Sequence, residues 1–215
     1  MNGGKPKEVV ISAGEGRLKA FLRVPSRPLG IVAFAHGSGS GRFSPRNNFV
    51  AEVLQSAGIA TLLANLLDES EASDRRKVFD ISLLTDRLLA CSKWLRKLPE
   101  TEKLPLGYFG ASTGAAAALQ AAAREPEGIV AIVSRAGRPD LAIDYLHILQ
   151  APTLLIVGGE DHAVIPLNDS AYRELRCSKE MVIILGATHL FEEPGALEKV
   201  AELARDWFLK YFQSS

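Results

Sequence analysis

From residue 30 to the C-terminus, short runs of Val, Ile and Leu alternate with longer segments of helical period, and this alternation constrains the fold more than any other feature. Residues 30–36, 59–64, 106–109, 129–134, 153–157 and 181–185 read as strands. Most are apolar without a break, as expected of strands covered on both faces. Residues 47–57 read as a helix closed by Gly58, and residues 113–124 as an alanine-rich helix. Residues 75–98 carry Val78, Ile81, Leu84, Leu88, Cys91 and Leu95 at spacings of three and four, which predicts one long amphipathic helix before Pro99. Residues 196–212 form a closing helix with Val200, Ala204 and Trp207 on its apolar face. Strand–helix alternation of this kind predicts an α/β fold, a mostly parallel sheet of about seven or eight strands with helices on both faces. Two earlier strands, 9–12 and 18–24, lie close enough in sequence to form an antiparallel edge. The polar, acidic stretch 68–74 is expected to be a loop. Residues 1–215 read as one domain, with 1–7 as a flexible N-terminus.

Lysine plus arginine equals aspartate plus glutamate at 25 each, so the formal net charge is zero. Nothing in that balance attracts nucleic acid or an anionic membrane surface. No segment approaches the ~18 uninterrupted apolar residues of a membrane span, and no apolar run of signal-peptide length follows Met1. A soluble cytoplasmic protein is expected. Cys91 and Cys177 are far apart and belong to no Cys-x-x-Cys or Cys/His cluster. Both thiols are expected to be reduced, and neither a metal nor a cofactor is called for.

The chemistry centres on Gly110-Ala111-Ser112-Thr113-Gly114. A G-x-S-x-G pentapeptide is a weak signal alone, but this one follows a strand and opens a helix, the setting of a nucleophile elbow. A serine that merely caps a helix would explain Ser112 but not both flanking glycines. A serine hydroxyl needs a base to attack a carbonyl at neutral pH. Of the four histidines (His36, His147, His162 and His189), His189 stands between the last strand and the closing helix. Catalytic groups gather at such strand ends, and the order serine, acid, histidine places the base late in the chain. Asp161, directly after strand 153–157, is the expected acid. Glu160 competes with it, Asp140 and Asp144 are weaker candidates, and His162 is expected at the rim. The glycine-rich run 36–41 (HGSGSG) ends another strand. It fits neither phosphate-loop pattern. The amides of Ser38 and Thr113 are the expected oxyanion donors, and His36 is expected to be structural.

Four phrases together, HGSGSG (36–41), GASTG (110–114), GGEDHAVIP (158–166) and GATHLF (186–191), resemble the α/β-hydrolase superfamily, in particular its small dienelactone-hydrolase-like branch. The resemblance covers roughly residues 8–212. It implies a single-domain α/β-hydrolase fold and a serine esterase with Ser112, Asp161 and His189 as its triad. The founding dienelactone hydrolases use a cysteine nucleophile, whereas this chain has Ser112, so a general esterase is expected. No long insertion interrupts the elements, which implies a minimal lid and a shallow pocket suited to small acyl esters. Arg42 and Arg138, on loops after predicted strands, are candidates to clamp a substrate carboxylate or phosphate; solvated surface arginines are the alternative. The expected partner is a small-molecule ester, bound by a monomer or homodimer. The same triad would serve thioesters, lactones or peptides, and the fold also hosts non-catalytic binding modules.

Overall fold

The computed structural model describes residues 6–14 and 16–213. One sheet holds β1 (Lys7–Ala13), β2 (Gly16–Arg23), β3 (Gly30–Ala35), β4 (Ile59–Ala64), β5 (Leu106–Ala111), β6 (Ile129–Arg135), β7 (Thr153–Gly158) and β8 (Lys179–Ile184). Their spatial order is β1-β2-β4-β3-β5-β6-β7-β8. Strands β3 to β8 run parallel, while β1 and β2 form the antiparallel edge. β3, β4, β5 and β7 are buried along their whole length, which explains their unbroken apolar sequences. The outer strand β8 has no fully buried position and starts with Lys179 and Glu180, charges that blunt a free edge.

The helices, in chain order, are α1 (Pro45–Ser56), α2 (Glu69–Ser73), α3 (Arg75–Val78), α4 (Ile81–Leu95), α5 (Thr113–Arg124), α6 (Ile143–Leu146), α7 (Ile165–Glu174) and α8 (Ala196–Phe212). α4 and α5 bury their apolar sides in one core with Ile11, Leu62 and Tyr108. α1 and α8 close a second core around Phe34, Phe109 and Ile156 on the other face. The arrangement is the α/β-hydrolase fold. β4 and β5 flank β3 on opposite sides, so the chain changes direction there. A crevice opens at the carboxyl ends of strands at such a switch point.

Two expectations are corrected. The stretch 68–74 is not a loop, since it holds α2, whose cap is Asp68. Glu71 N–H donates to Asp68 Oδ1 at 2.8 Å, and Asp68 N–H donates to Glu71 Oε2 at 3.2 Å. This reciprocal pair is a capping box, and its Asp-x-x-Glu spacing was present in the sequence. The single helix over 75–98 is instead two, because Asp80 caps a new helix by accepting the Leu83 N–H at 2.9 Å. Helix α7, which periodicity did not announce, opens with Pro166 in its first turn. The N-terminal stretch expected to be flexible lies mostly outside the described residues, but Lys7 already pairs with Leu22 in the sheet.

Candidate active site

Ser112 stands between the end of β5 and the start of α5 with φ 52° and ψ −122°, a conformation that costs a residue with a Cβ about 1–3 kcal/mol. Neighbouring backbone holds it there. Ser112 N–H donates to Arg135 O at 3.1 Å, and Ser112 O accepts from the amides of Ala115 and Arg138, both at 3.1 Å. The hydroxyl makes no capping hydrogen bond, so capping does not account for this serine. The flanking glycines are required by close approach. A Cβ on Gly114 would overlap the carbonyl oxygens of Ala35 and His36, and one on Gly110 would overlap the Ala115 backbone. Gly114→Ala is therefore expected to destabilise the fold by about 3 kcal/mol or more. Gly39→Ala is the control: Gly39 has φ +69° with nothing near its missing Cβ, so only about 1 kcal/mol of backbone strain is expected. Thermal melts of both variants check this, and equal losses would rule out steric crowding as the reason for Gly114.

Asp161 and His189 meet across two loops. His189 Nδ1–H donates to Asp161 Oδ2 at 2.6 Å, with the carboxylate side chain only 9% exposed and the imidazole 37% exposed. The loops are drawn together by Glu160 N–H donating to Ala187 O at 2.9 Å and Gly159 N–H donating to Ile184 O at 2.8 Å. Gly158 has no room for a side chain, because a Cβ there would overlap the Ala187 carbonyl. Of the competing acids, Glu160 turns outward to His162 at 3.4 Å, and Asp140 is held by Arg138. His147 is exposed at the end of α6.

A cavity of about 220 Å³ lies beside the elbow. Gly37, Ser38 and Thr113 form its polar side, and Leu67, Val78 and Leu84 its apolar side. Among the described residues, the amides of Ser38 and Thr113 donate to no protein acceptor. His36 holds the loop that carries Ser38. Leu66 N–H donates to His36 Nε2 at 2.9 Å, so the ring proton sits on Nδ1 and is donated to Gly37 O at 3.0 Å. Burial lowers the His36 pKa, which keeps this ring neutral and its acceptor nitrogen available. Among the described residues no separate cap domain covers the site, but Ala72 and Val78 from α2 and α3 wall the cavity. Periodicity could not foresee this wall, because both helices were hidden by the two misread segments.

The two singled-out arginines are engaged elsewhere. Arg42 packs against the rings of Phe21 and Phe43, at 5.1 and 4.3 Å, and pairs with Glu8 at 3.1 Å. Arg138 makes two bonds to Asp140, at 2.9 and 2.8 Å. Neither lines the cavity. Among the described residues no cluster of His, Cys, Asp and Glu is arranged to hold a metal ion, and no helix is long and apolar enough to cross a membrane.

Known proteins agree with this architecture. The crystal structure of a dienelactone hydrolase from Anabaena variabilis ATCC 29413 matches with a TM-score of 0.93 and 55% sequence identity, over 97% of this chain and 99% of that one. Est1E from Butyrivibrio proteoclasticus matches with a TM-score of 0.83 over 99% of this chain and 100% of its own, at 18% identity, and so shares the fold alone. Proteins from two strains of Mycobacterium tuberculosis, CDC 1551 / Oshkosh and ATCC 25618 / H37Rv, are 54% identical over 207 residues. Each bears the name "Putative phosphoribosyl transferase". The match takes in 96% of this chain but 47% of theirs, so the chain spans about half the length of these curated relatives. The model of the dienelactone hydrolase family matches residues 18–214. On that match, and on an eight-stranded sheet with a serine at its elbow, the chain belongs to the dienelactone hydrolase family of α/β hydrolases.

Proposed function

We propose that the protein is a serine hydrolase that cleaves small carboxylic esters through an acyl-enzyme. Ser112 Oγ attacks the ester carbonyl carbon, and His189 Nε2 takes its proton. The negative charge that develops on the carbonyl oxygen is met by the amides of Ser38 and Thr113. The tetrahedral intermediate collapses, its C–O bond breaks, and the alcohol leaves with the proton from His189. Water then attacks the acyl group with His189 again as base, and Ser112 is released as its hydroxyl. Asp161 holds the imidazole in the tautomer that leaves Nε2 free to accept, and it stabilises the imidazolium that forms.

The observation that carries this reading is Ser112 itself. It is a non-glycine residue with φ 52° and a hydroxyl spent on no helix cap, and backbone strain of this kind collects at reactive sites. A helix-capping or merely structural serine would have no use for it. The apolar half of the 220 Å³ cavity suits a short acyl or alkyl group. Thioesters and lactones would pass through the same steps, and a panel of substrates orders them. The phosphoribosyl transfer named for the mycobacterial proteins is placed, in this reading, in the half of those proteins that this chain does not match. The remaining elements of the proposal are a cytoplasmic location and a small-molecule ester as partner, bound by a monomer or homodimer.

The test is hydrolysis of p-nitrophenyl acetate and butyrate, with covalent labelling by a fluorophosphonate mapped by mass spectrometry. Turnover together with a label on Ser112 is expected. Absence of both would overturn the hydrolase reading in favour of a binding module on the same fold.

A further inference from the structure

The segment that brings Ala72 and Val78 to the cavity is fastened by charge rather than by apolar burial. It folds as two short helices, the five residues of α2 and the four of α3, and helices of that length are not stable alone. α3 has no fully buried residue, Val78 packs against the core only in part, and Phe79 is exposed. Among the described residues from 70 to 80, the one that is fully buried is a carboxylate, Glu71.

Both oxygens of Glu71 are engaged. Oε1 accepts from Arg87 Nη2 at 3.1 Å and from Lys77 Nζ at 3.3 Å, and Oε2 accepts the Asp68 N–H at 3.2 Å. Arg87 comes from α4, and its side chain is 9% exposed against 10% for Glu71. Arg87 Nη1 donates to the carbonyl of Ala13 at the end of β1. Gly16, which opens β2, makes room for the guanidinium, because a Cβ there would overlap it. Contacts thus run from the antiparallel edge of the sheet through Arg87 to Glu71, and from Glu71 to the cavity. Ala72 follows Glu71 directly, and Lys77 precedes Val78. Removing one member of such an enclosed pair leaves the other as an unpaired buried charge, which is strongly destabilising. The wall therefore has one dominant fastening.

We propose that the Glu71–Arg87 ion pair sets the depth of the acyl pocket, by holding α2 and α3 where Ala72 and Val78 limit the length of the acyl group delivered to Ser112. The selection of acyl groups rests on the hydrolase reading; the fastening of the wall by Glu71 does not. Ser38 and Thr113, the donors for the carbonyl oxygen, form the polar side of the cavity, and Val78 belongs to the apolar side. An acyl chain whose carbonyl oxygen is held by those amides extends toward the wall. Glu71 meets no reacting atom and is a positioning residue. Glu71→Gln keeps its shape but turns one accepting oxygen into a donating NH2, which must face either the two cations or the Asp68 amide.

The test on the full chain is kcat/KM for p-nitrophenyl acetate, butyrate, hexanoate and octanoate, with backbone hydrogen exchange followed by mass spectrometry. Ala72→Leu should lower the butyrate-to-acetate ratio by about 10- to 100-fold, the discrimination that a methylene or two gives in an apolar pocket. Val78→Ala and Glu71→Gln should each raise the octanoate-to-butyrate ratio by about tenfold. Glu71→Gln should also speed exchange across residues 70–80 by at least about tenfold, while Val78→Ala leaves it unchanged, which separates fastening from contact. If Glu71→Gln does not fold, the double variant Glu71→Gln with Arg87→Met, in which no charge is left unpaired, carries both measurements. Ratios unmoved by Ala72→Leu and Val78→Ala would overturn the acyl limit, and exchange unmoved by the loss of Glu71 would overturn the fastening. A wild type that cleaves none of the four esters would overturn the hydrolase reading and the acyl selection with it, and exchange would still decide the fastening.

Discussion

Ser112→Gly is expected to abolish ester turnover and still melt a few degrees above the parent protein. The serine is held at φ 52°, where a side chain costs about 1–3 kcal/mol. Glycine carries no such penalty and forfeits only about 0.5–1 kcal/mol of chain entropy. The balance is a gain of about 1 kcal/mol, or about 2–4 °C in Tm for a chain of this length. The loss of Oγ removes the acyl-enzyme altogether, and kcat should fall by about 10⁶-fold. Ser112→Ala separates the two effects, since it deletes the same oxygen but keeps the Cβ in its strained place. Activity should vanish as it does with glycine, while Tm stays near that of wild type. An alanine variant that still turns over would remove Ser112 as nucleophile. A glycine variant that melts no higher would mean that the elbow stores no strain.

The parts of this site legible in the sequence are those where chemistry dictates residue type and spacing together. Gly110 and Gly114 bracket Ser112 because β3, β5 and α5 crowd there, and that crowding leaves a readable trace. His189 and Asp161 were legible because both follow parallel strands on loops that must converge. The break at Asp80 was not. Val78 and Ile81 both pack against the same core, so the apolar period runs through the gap as though the helix were continuous. Only the capping aspartate reports the new start. What the arginines touch was not legible for another reason. Sequence shows which loops carry charge but not which way a side chain turns. Arg135 ends β6, a strand covered on both faces, so its side chain is enclosed whichever face it takes. Arg42 is drawn aside by Phe21, Phe43 and Glu8, partners that only the folded sheet brings near.

Asp161→Asn is expected to lower kcat by about 10⁴-fold with little change in Tm. The carboxylate can only accept, so at 2.6 Å it fixes the His189 proton on Nδ1 and leaves Nε2 with a free lone pair, as a general base requires. An asparagine amide of the same shape can donate to Nδ1. The imidazole proton then moves to Nε2, and the ring presents a donor where a base is needed. The imidazolium formed during attack would also lose its negative neighbour. Glu160 supplies the comparison, since its side chain faces His162 in solvent and touches neither His189 nor the cavity. Glu160→Gln should keep kcat within about threefold of wild type, as befits an exposed pair of little energetic weight. The rates of p-nitrophenyl acetate hydrolysis and of fluorophosphonate labelling should fall together in the Asp161 variant, because both need the same base. Labelling at the wild-type rate with turnover lost would place Asp161 in deacylation alone, and a Glu160 variant as damaged as Asp161→Asn would move the acid one residue back.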